Sequence, residues 1–158
     1  MNVEQLKIVP YSALDQKAVW DLHLHTVKNN EGFLENLDFY EDVRNVPAHY
    51  DGFLLLKDNH NLIGMIGLKP LNEDCFEIKR LQVHKEYQGK GLGKLLVEKI
   101  VELAKTKNAN SLILDFDKRH EYLNKFYSAF GFKKFDEGTV YMGANKEKFD
   151  LIYMKKDL

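Results

Sequence analysis

The order of hydrophobic patterns along this chain predicts an α/β fold, a mixed sheet flanked by helices. Three observations carry that expectation. Leu112, Leu114 and Phe116 alternate as in a buried strand, whereas Leu92, Leu95, Leu96, Val97, Ile100, Leu103 and Ala104 recur at helical spacing. The run from Gly52 to Leu68 holds two apolar segments around Asp58-Asn59-His60-Asn61, residues that favour turns through their own hydrogen bonds, and so reads as a β-hairpin.

The remaining elements come in chain order. A short apolar stretch, Leu6 to Val9, precedes Ser12-Ala13-Leu14-Asp15, which has capping-box spacing with Asp in the place of Glu, and the helix it opens runs to about Val27. Asn29, Asn30, Glu31 and Gly32 break that helix. Phe33, Leu37, Tyr40, Val43 and Arg44 suggest a second one, stopped by Pro47. From Phe76 to Val83 the chain reads as a strand, but Phe76 and Ile78 share one parity and Leu81 and Val83 the other. Strand side chains alternate faces, so the change implies an inserted residue near Lys79 and Arg80, a β-bulge. The helix after the glycines runs to about Lys107. Tyr122, Leu123, Phe126, Tyr127 and Phe130 then form one helical stripe ended by Gly131. Phe132 to Phe135, Val140 to Met142 and Phe149 to Met154 complete the chain as short strands that can include a closing hairpin. With no linker, repeat or low-complexity tract, residues 1–158 read as a single domain.

Composition narrows the function. A formal net charge of -1 gives no field of one sign, so neither nucleic acid nor a membrane is expected as partner. The single cysteine, Cys75, cannot form an internal disulfide, which suits the cytoplasm, and it reads as buried and inert. No export signal or membrane span is legible, and no cysteine spacing suggests a metal. His23 and His25 point apart on a helix, so surface or capping roles are expected of all six histidines.

The stretch Tyr87-Gln88-Gly89-Lys90-Gly91-Leu92-Gly93-Lys94 puts three glycines between a strand and a helix. Unpaired N–H groups and the positive end of the helix dipole converge there, so the turn reads as an anion site, with Lys90 and Lys94 adding charge. A dinucleotide fingerprint would need glycine where Lys94 stands. A P-loop would need Ser or Thr at Leu95 and a further glycine five residues before Gly93, and has neither. The pattern left standing is Gln88-x-x-Gly91-x-Gly93, after a bulged strand ending Leu81-Gln82-Val83.

Across Glu77 to Ile100 the sequence resembles the GNAT superfamily of N-acetyltransferases, whose signature is Q/R-x-x-G-x-G/A. Phe126 to Phe135 is similar to the Tyr-x-x-x-Gly-Phe segment that such enzymes carry one strand and one helix later. The family often has Asn seven residues before that tyrosine and Ala four before it, where this chain has His120 and Leu123. The resemblance implies a GNAT-type mixed, mostly antiparallel sheet with a splayed central strand. It implies acetyl-CoA as co-substrate, its pyrophosphate on Gln88, Gly89, Lys90, Gly91, Leu92, Gly93 and Lys94 and its pantetheine arm along Leu81, Gln82 and Val83, with Asn124 a further contact.

For function, the resemblance implies acetyl transfer to the primary amine of a small molecule or peptide by direct attack, without a metal, and a homodimer as a common assembly. Tyr127 would give its proton to the thiolate, although its stripe also suits a core aromatic. Glu77 would act as base through water, although it can equally pair with Lys79 on an exposed face. Asp115 is a second candidate base, or a strand-end hydrogen-bond acceptor. The acceptor pocket would draw on the N-terminal helices and C-terminal strands, where Phe33, Phe39, Tyr40 and Tyr141 are candidates for lining or for core. A non-catalytic acyl-CoA-binding sensor is the alternative, and retention of Tyr127 favours the enzyme.

Overall fold

The computed structural model describes residues 2–29 and 40–158. Its centre is a seven-stranded sheet in the order β1-β2-β3-β4-β5-β7-β6. The strands are β1 (Leu6–Pro10), β2 (Gly52–Asp58), β3 (Asn61–Pro70), β4 (Cys75–Val83), β5 (Ser111–Asp117), β6 (Lys133–Met142) and β7 (Glu147–Asp157). Every neighbouring pair is antiparallel except β4 and β5, which run parallel. The mixed, mostly antiparallel sheet expected from the sequence is therefore present. The tail is simpler than expected: two long strands, β6 and β7, form one hairpin with a register shift between Lys134 and Asp136.

Helices cover both faces. On one lies α4 (Leu92–Thr106), whose Leu96, Val97 and Ile100 are fully buried against Leu56, Ile66, Leu68, Phe76, Ile78, Leu112 and Leu114. Each such side chain stabilises the fold by about 2 kcal/mol relative to exposure. The short helix α5 (Tyr122–Ser128) joins this layer through Tyr127. On the opposite face α1 (Gln16–Lys28) buries Val19, Leu22, His23 and Thr26, spaced i, i+3, i+4 and i+7 as one helical stripe. Val19 and Leu22 pack with Phe53, Leu55 and Met65 of the sheet.

The helix expected from Phe33 to Arg44 differs where it can be seen. Phe33 and Leu37 lie outside the described residues, and the chain beyond Tyr40 forms a pair of single turns, α2 (Glu41–Arg44) and α3 (Val46–His49). Asn45, with an extended φ of -141°, separates them. Pro47 does not stop a helix but sits in the first turn of α3, where its missing N–H has no partner to lose. At the front of α1 the Asp15 carboxylate accepts the Ser12 N–H at 3.1 Å and the Lys57 ammonium at 2.7 Å, tying the helix start to β2.

His23 corrects the expectation that every histidine is superficial: it is fully buried. It holds a core position of the α1 stripe between Trp20 and Tyr40, with ring centroids 5.8 and 4.4 Å away. Its Nδ1 meets the Gln82 amide at about 3.1 Å, and its Nε2 has no hydrogen-bond partner. Burial first, and the Arg80 charge second, lower its pKa from 6.5 to about 4. The unfolded chain therefore binds a proton between pH 6.5 and 4 that the native state refuses, so stability should fall as pH drops through that window, by roughly 3 kcal/mol in all. Urea denaturation at pH 7 and pH 4.5 measures this. His23→Gln should remove most of the slope, and an unchanged slope would acquit His23.

Candidate active site

The parity break read in β4 is a bulge in the structure. Met65 pairs with Gln82 and Gly67 with Lys79, so Ile66 of β3 stands opposite both Arg80 and Leu81. Arg80 takes φ +59°, a conformation seldom adopted by a residue with a side chain. Before the bulge Phe76 and Ile78 face α4; after it Leu81 and Val83 do. On its other edge β4 pairs with β5 only over Cys75–Glu77 and Ser111–Ile113, and beyond that point no pairing holds the two strands together. Leu81 thus keeps backbone groups outside the β3 ladder on a strand that β5 has left.

The glycine turn closes the same region. Chain leaving β4 makes a short 3-10 turn, Lys85–Tyr87, capped by His84 Nδ1 accepting the Glu86 N–H at 3.3 Å. The Gln88 side chain turns back and donates to the Val83 carbonyl at 2.9 Å. Gly89 and Gly91 then take φ +75° and +79°, and a Cβ at either would touch nothing, so backbone conformation rather than crowding requires glycine there. Gly91 caps α4, and the first backbone bond of the helix runs from Leu95 N–H to the Gly91 carbonyl at 3.1 Å. The N–H groups of Leu92, Gly93 and Lys94 precede it and have no carbonyl one turn back.

Between turn, bulged strand and α5 lies a cavity of about 570 Å³. Leu81, Gln82, Val83, Gln88, Gly89, Gly91, Leu92, Gly93 and Lys94 all line it, so most residues singled out from the sequence for the co-substrate meet in one space. Lys90 and Asn124 stand outside the lining. The Lys90 ammonium lies over the Tyr87 ring, 5.3 Å from its centroid. Asn124 is on the exposed side of α5, because the helical spacing that turns Leu123, Phe126 and Tyr127 to the cavity turns position 124 away. Tyr87, Tyr122 and Thr26 also line the cavity, and the sequence patterns do not assign them to it. Tyr122 shares the α5 stripe, a signal that could have found it; Thr26 comes from α1, where nothing in the sequence points to this wall.

Tyr127 is at once core and site. It is 7% exposed, packs against Phe116, Phe126 and Phe132, and also lines the cavity. Burial, reinforced by Tyr122 and the Asp115 charge, pushes its phenol well above the usual range, so it stays protonated at neutral pH. Glu77 lies in β4 between Phe76 and Ile78, which face α4, and so points to the opposite face, where Lys79 pairs with it at 3.1 Å. Asp115 shares that face, opposite Tyr153 of β7. Water still touches Asp115, but the walls around it strip enough hydration to raise its carboxyl; Lys79 opposes and Glu77 assists.

Other candidates resolve simply. Tyr40 is buried, whereas Tyr141 is 65% exposed on edge strand β6, and Phe33 and Phe39 lie outside the described residues. Cys75 is half-buried at the start of β4 rather than fully enclosed. Among the described residues no three His, Cys, Asp or Glu side chains gather as a metal ion would need, and no helix is long and apolar enough to cross a membrane.

A bulged strand parted from its parallel neighbour, followed by a glycine turn and a helix start, defines a class of α/β domain with an open gap beside a turn of unpaired backbone donors. Residues 17–132 match the model of the acetyltransferase (GNAT) family, and the chain belongs to that family. An uncharacterised N-acetyltransferase of Dictyostelium discoideum is 42% identical over 79 residues, 50% of this chain and 36% of that protein. A GNAT-family acetyltransferase structure from Staphylococcus aureus Mu50 superposes with TM-score 0.82 at 25% identity, covering 97% of this chain and 99% of its own. A GNAT acetyltransferase from Elizabethkingia anophelis, solved with acetyl-CoA bound, gives TM-score 0.73 at 22% identity, covering 98% and 99%. The matched stretches span 36% to 59% of the length of the curated relatives.

Proposed function

We propose that the protein is an acetyl-CoA-dependent N-acetyltransferase that moves an acetyl group from the CoA thioester to the primary amine of a small molecule or peptide by direct attack in a ternary complex. The cavity carries this reading, because it joins the glycine turn, the unpaired stretch of β4 and Tyr127 in one space. The N–H groups from Gly89 to Lys94 suit a pyrophosphate, and the free backbone at Leu81 suits the amides of a pantetheine arm. The acetyl-CoA-bound relative supports this choice of co-substrate.

In the reaction the amine nitrogen forms the amide bond as the C–S bond breaks, and the proton lost by nitrogen ends on sulfur. Holding both partners in line supplies much of the rate, since effective molarities of roughly 10⁵ M or more are attainable. Tyr127 is a weaker acid than a thiol, so its part is to hydrogen-bond the departing sulfur and to pass on a proton as one arrives. No protein group among the described residues hydrogen-bonds its hydroxyl, which leaves it available. Glu77 serves as base through water from the opposite face, beside the raised carboxyl of Asp115.

Thermal unfolding in rising concentrations of acetyl-CoA, NAD and ATP tests the co-substrate. Acetyl-CoA alone should give a saturable rise, about 2.7 kcal/mol at a hundred times Kd. A rise with NAD or ATP and none with acetyl-CoA would sink the reading. Stabilisation by acetyl-CoA without CoA release over a panel of amines would point to a sensor instead.

Tyr127→Phe should lower kcat roughly 10²-fold while KM for acetyl-CoA stays within about twofold. Undiminished turnover would return Tyr127 to the core alone. Glu77→Gln should flatten the acid limb of the kcat/KM profile against pH; a limb left intact would pass the role of base to Asp115 or to water.

A further inference from the structure

We propose that Asp42 and Arg80 are positioning residues: their ion pair holds the β4 bulge in its open form and so sets the affinity of the cavity for acetyl-CoA. The inference rests on the proposed binding of acetyl-CoA in the cavity and adds a device outside it, since neither side chain lines the cavity. Arg80 is the bulged residue itself, at φ +59°. Such a backbone persists only where its surroundings determine it, because a non-glycine residue relaxes toward ordinary strand geometry if left alone. Relaxed, residue 80 would take up the β3 ladder, and the free backbone around Leu81 would be lost.

What prevents this is a half-buried fork. Arg80 Nε and one terminal nitrogen donate to the two carboxylate oxygens of Asp42 at 2.8 and 2.7 Å, a two-point contact that fixes direction as well as distance. The Tyr50 hydroxyl donates to the same carboxylate, and the Tyr40 ring lies 5.5 Å below the guanidinium. Burial alone would raise the Asp42 carboxyl, but the Arg80 hydrogen bonds and charge override it and hold it at about 2. The pair is therefore fully ionised across the physiological range. Asp42 belongs to α2, packed with α1 and the opposite face of the sheet, so the bulge is held from behind while the cavity opens in front.

The test separates backbone geometry from general stability by using glycine, which takes positive φ freely. Acetyl-CoA Kd is measured by calorimetry, with thermal unfolding of each apo protein beside it. The parent should bind, Arg80→Ala with Asp42→Asn should bind about tenfold or more weakly, and Arg80→Gly with Asp42→Asn should stay within about threefold of the parent. If the alanine pair does not fold, Asp42→Asn alone serves: it should weaken binding severalfold, and adding Arg80→Gly should recover most of the loss. Equal affinity in the alanine and glycine pairs, strong or weak, would overturn the clamp alone. A parent that binds no acetyl-CoA would overturn the cavity reading and the clamp with it.

Discussion

Everything in this architecture that bears on function depends on one residue of extra chain in β4. A strand that must pair with β3 along its length, leave β5 halfway and still present hydrophobic side chains to α4 at both ends cannot do so with regular geometry. The bulge at Arg80 satisfies all three demands, because two residues oppose Ile66 and the faces exchange at that point. The conformation costs roughly 1–3 kcal/mol by itself. A bidentate ion pair, a tyrosine hydroxyl and an aromatic ring converge on the one side chain whose backbone is strained, an arrangement that offsets the cost where it arises.

The same exchange of faces divides the chemistry. On the α4 side the parted strands make a wall of leucine, valine and aromatic residues that ends at a set of backbone donors and Lys94, suited to a ligand apolar along its arm and anionic at its end. On the other side the sheet presents Glu77, Lys79, Asp115 and Tyr153. The charge of Asp115, on that second side, adds to the burial that raises the Tyr127 phenol on the first.

How much of this could be read from the residues depends on which forces act locally. Phe76, Ile78, Leu81 and Val83 reveal the bulge because strand alternation is a local rule and its violation has few causes. Gly89 and Gly91 reveal the turn because positive φ is costly for other residues. The pair Asp42 and Arg80 is invisible to such reasoning: the partners lie 38 positions apart, and α2 is a single turn with too few residues for a period. His23 misleads for the opposite reason. Its type suggests surface, while its place in the stripe Val19, Leu22, His23, Thr26 is that of a core residue, and in a helix packed against a sheet the stripe prevails. Pro47 misleads through its position, since a proline breaks a helix interior yet fits a first turn.

The first helix, which no motif tied to the cavity, is bound to it at three contacts. His23 meets Gln82 of the cavity lining, the His25 ring stacks on His84 at 3.9 Å and 5°, and Thr26 reaches the lining itself. His25 Nε2 also accepts the Lys85 N–H at 3.4 Å, just ahead of the glycine turn. A helix outside the motifs read in the sequence is thus keyed to the strand and turn that carry them. Because these contacts come from positions 23, 25 and 26, the packing of α1 on the sheet and the shape of the cavity wall are set together.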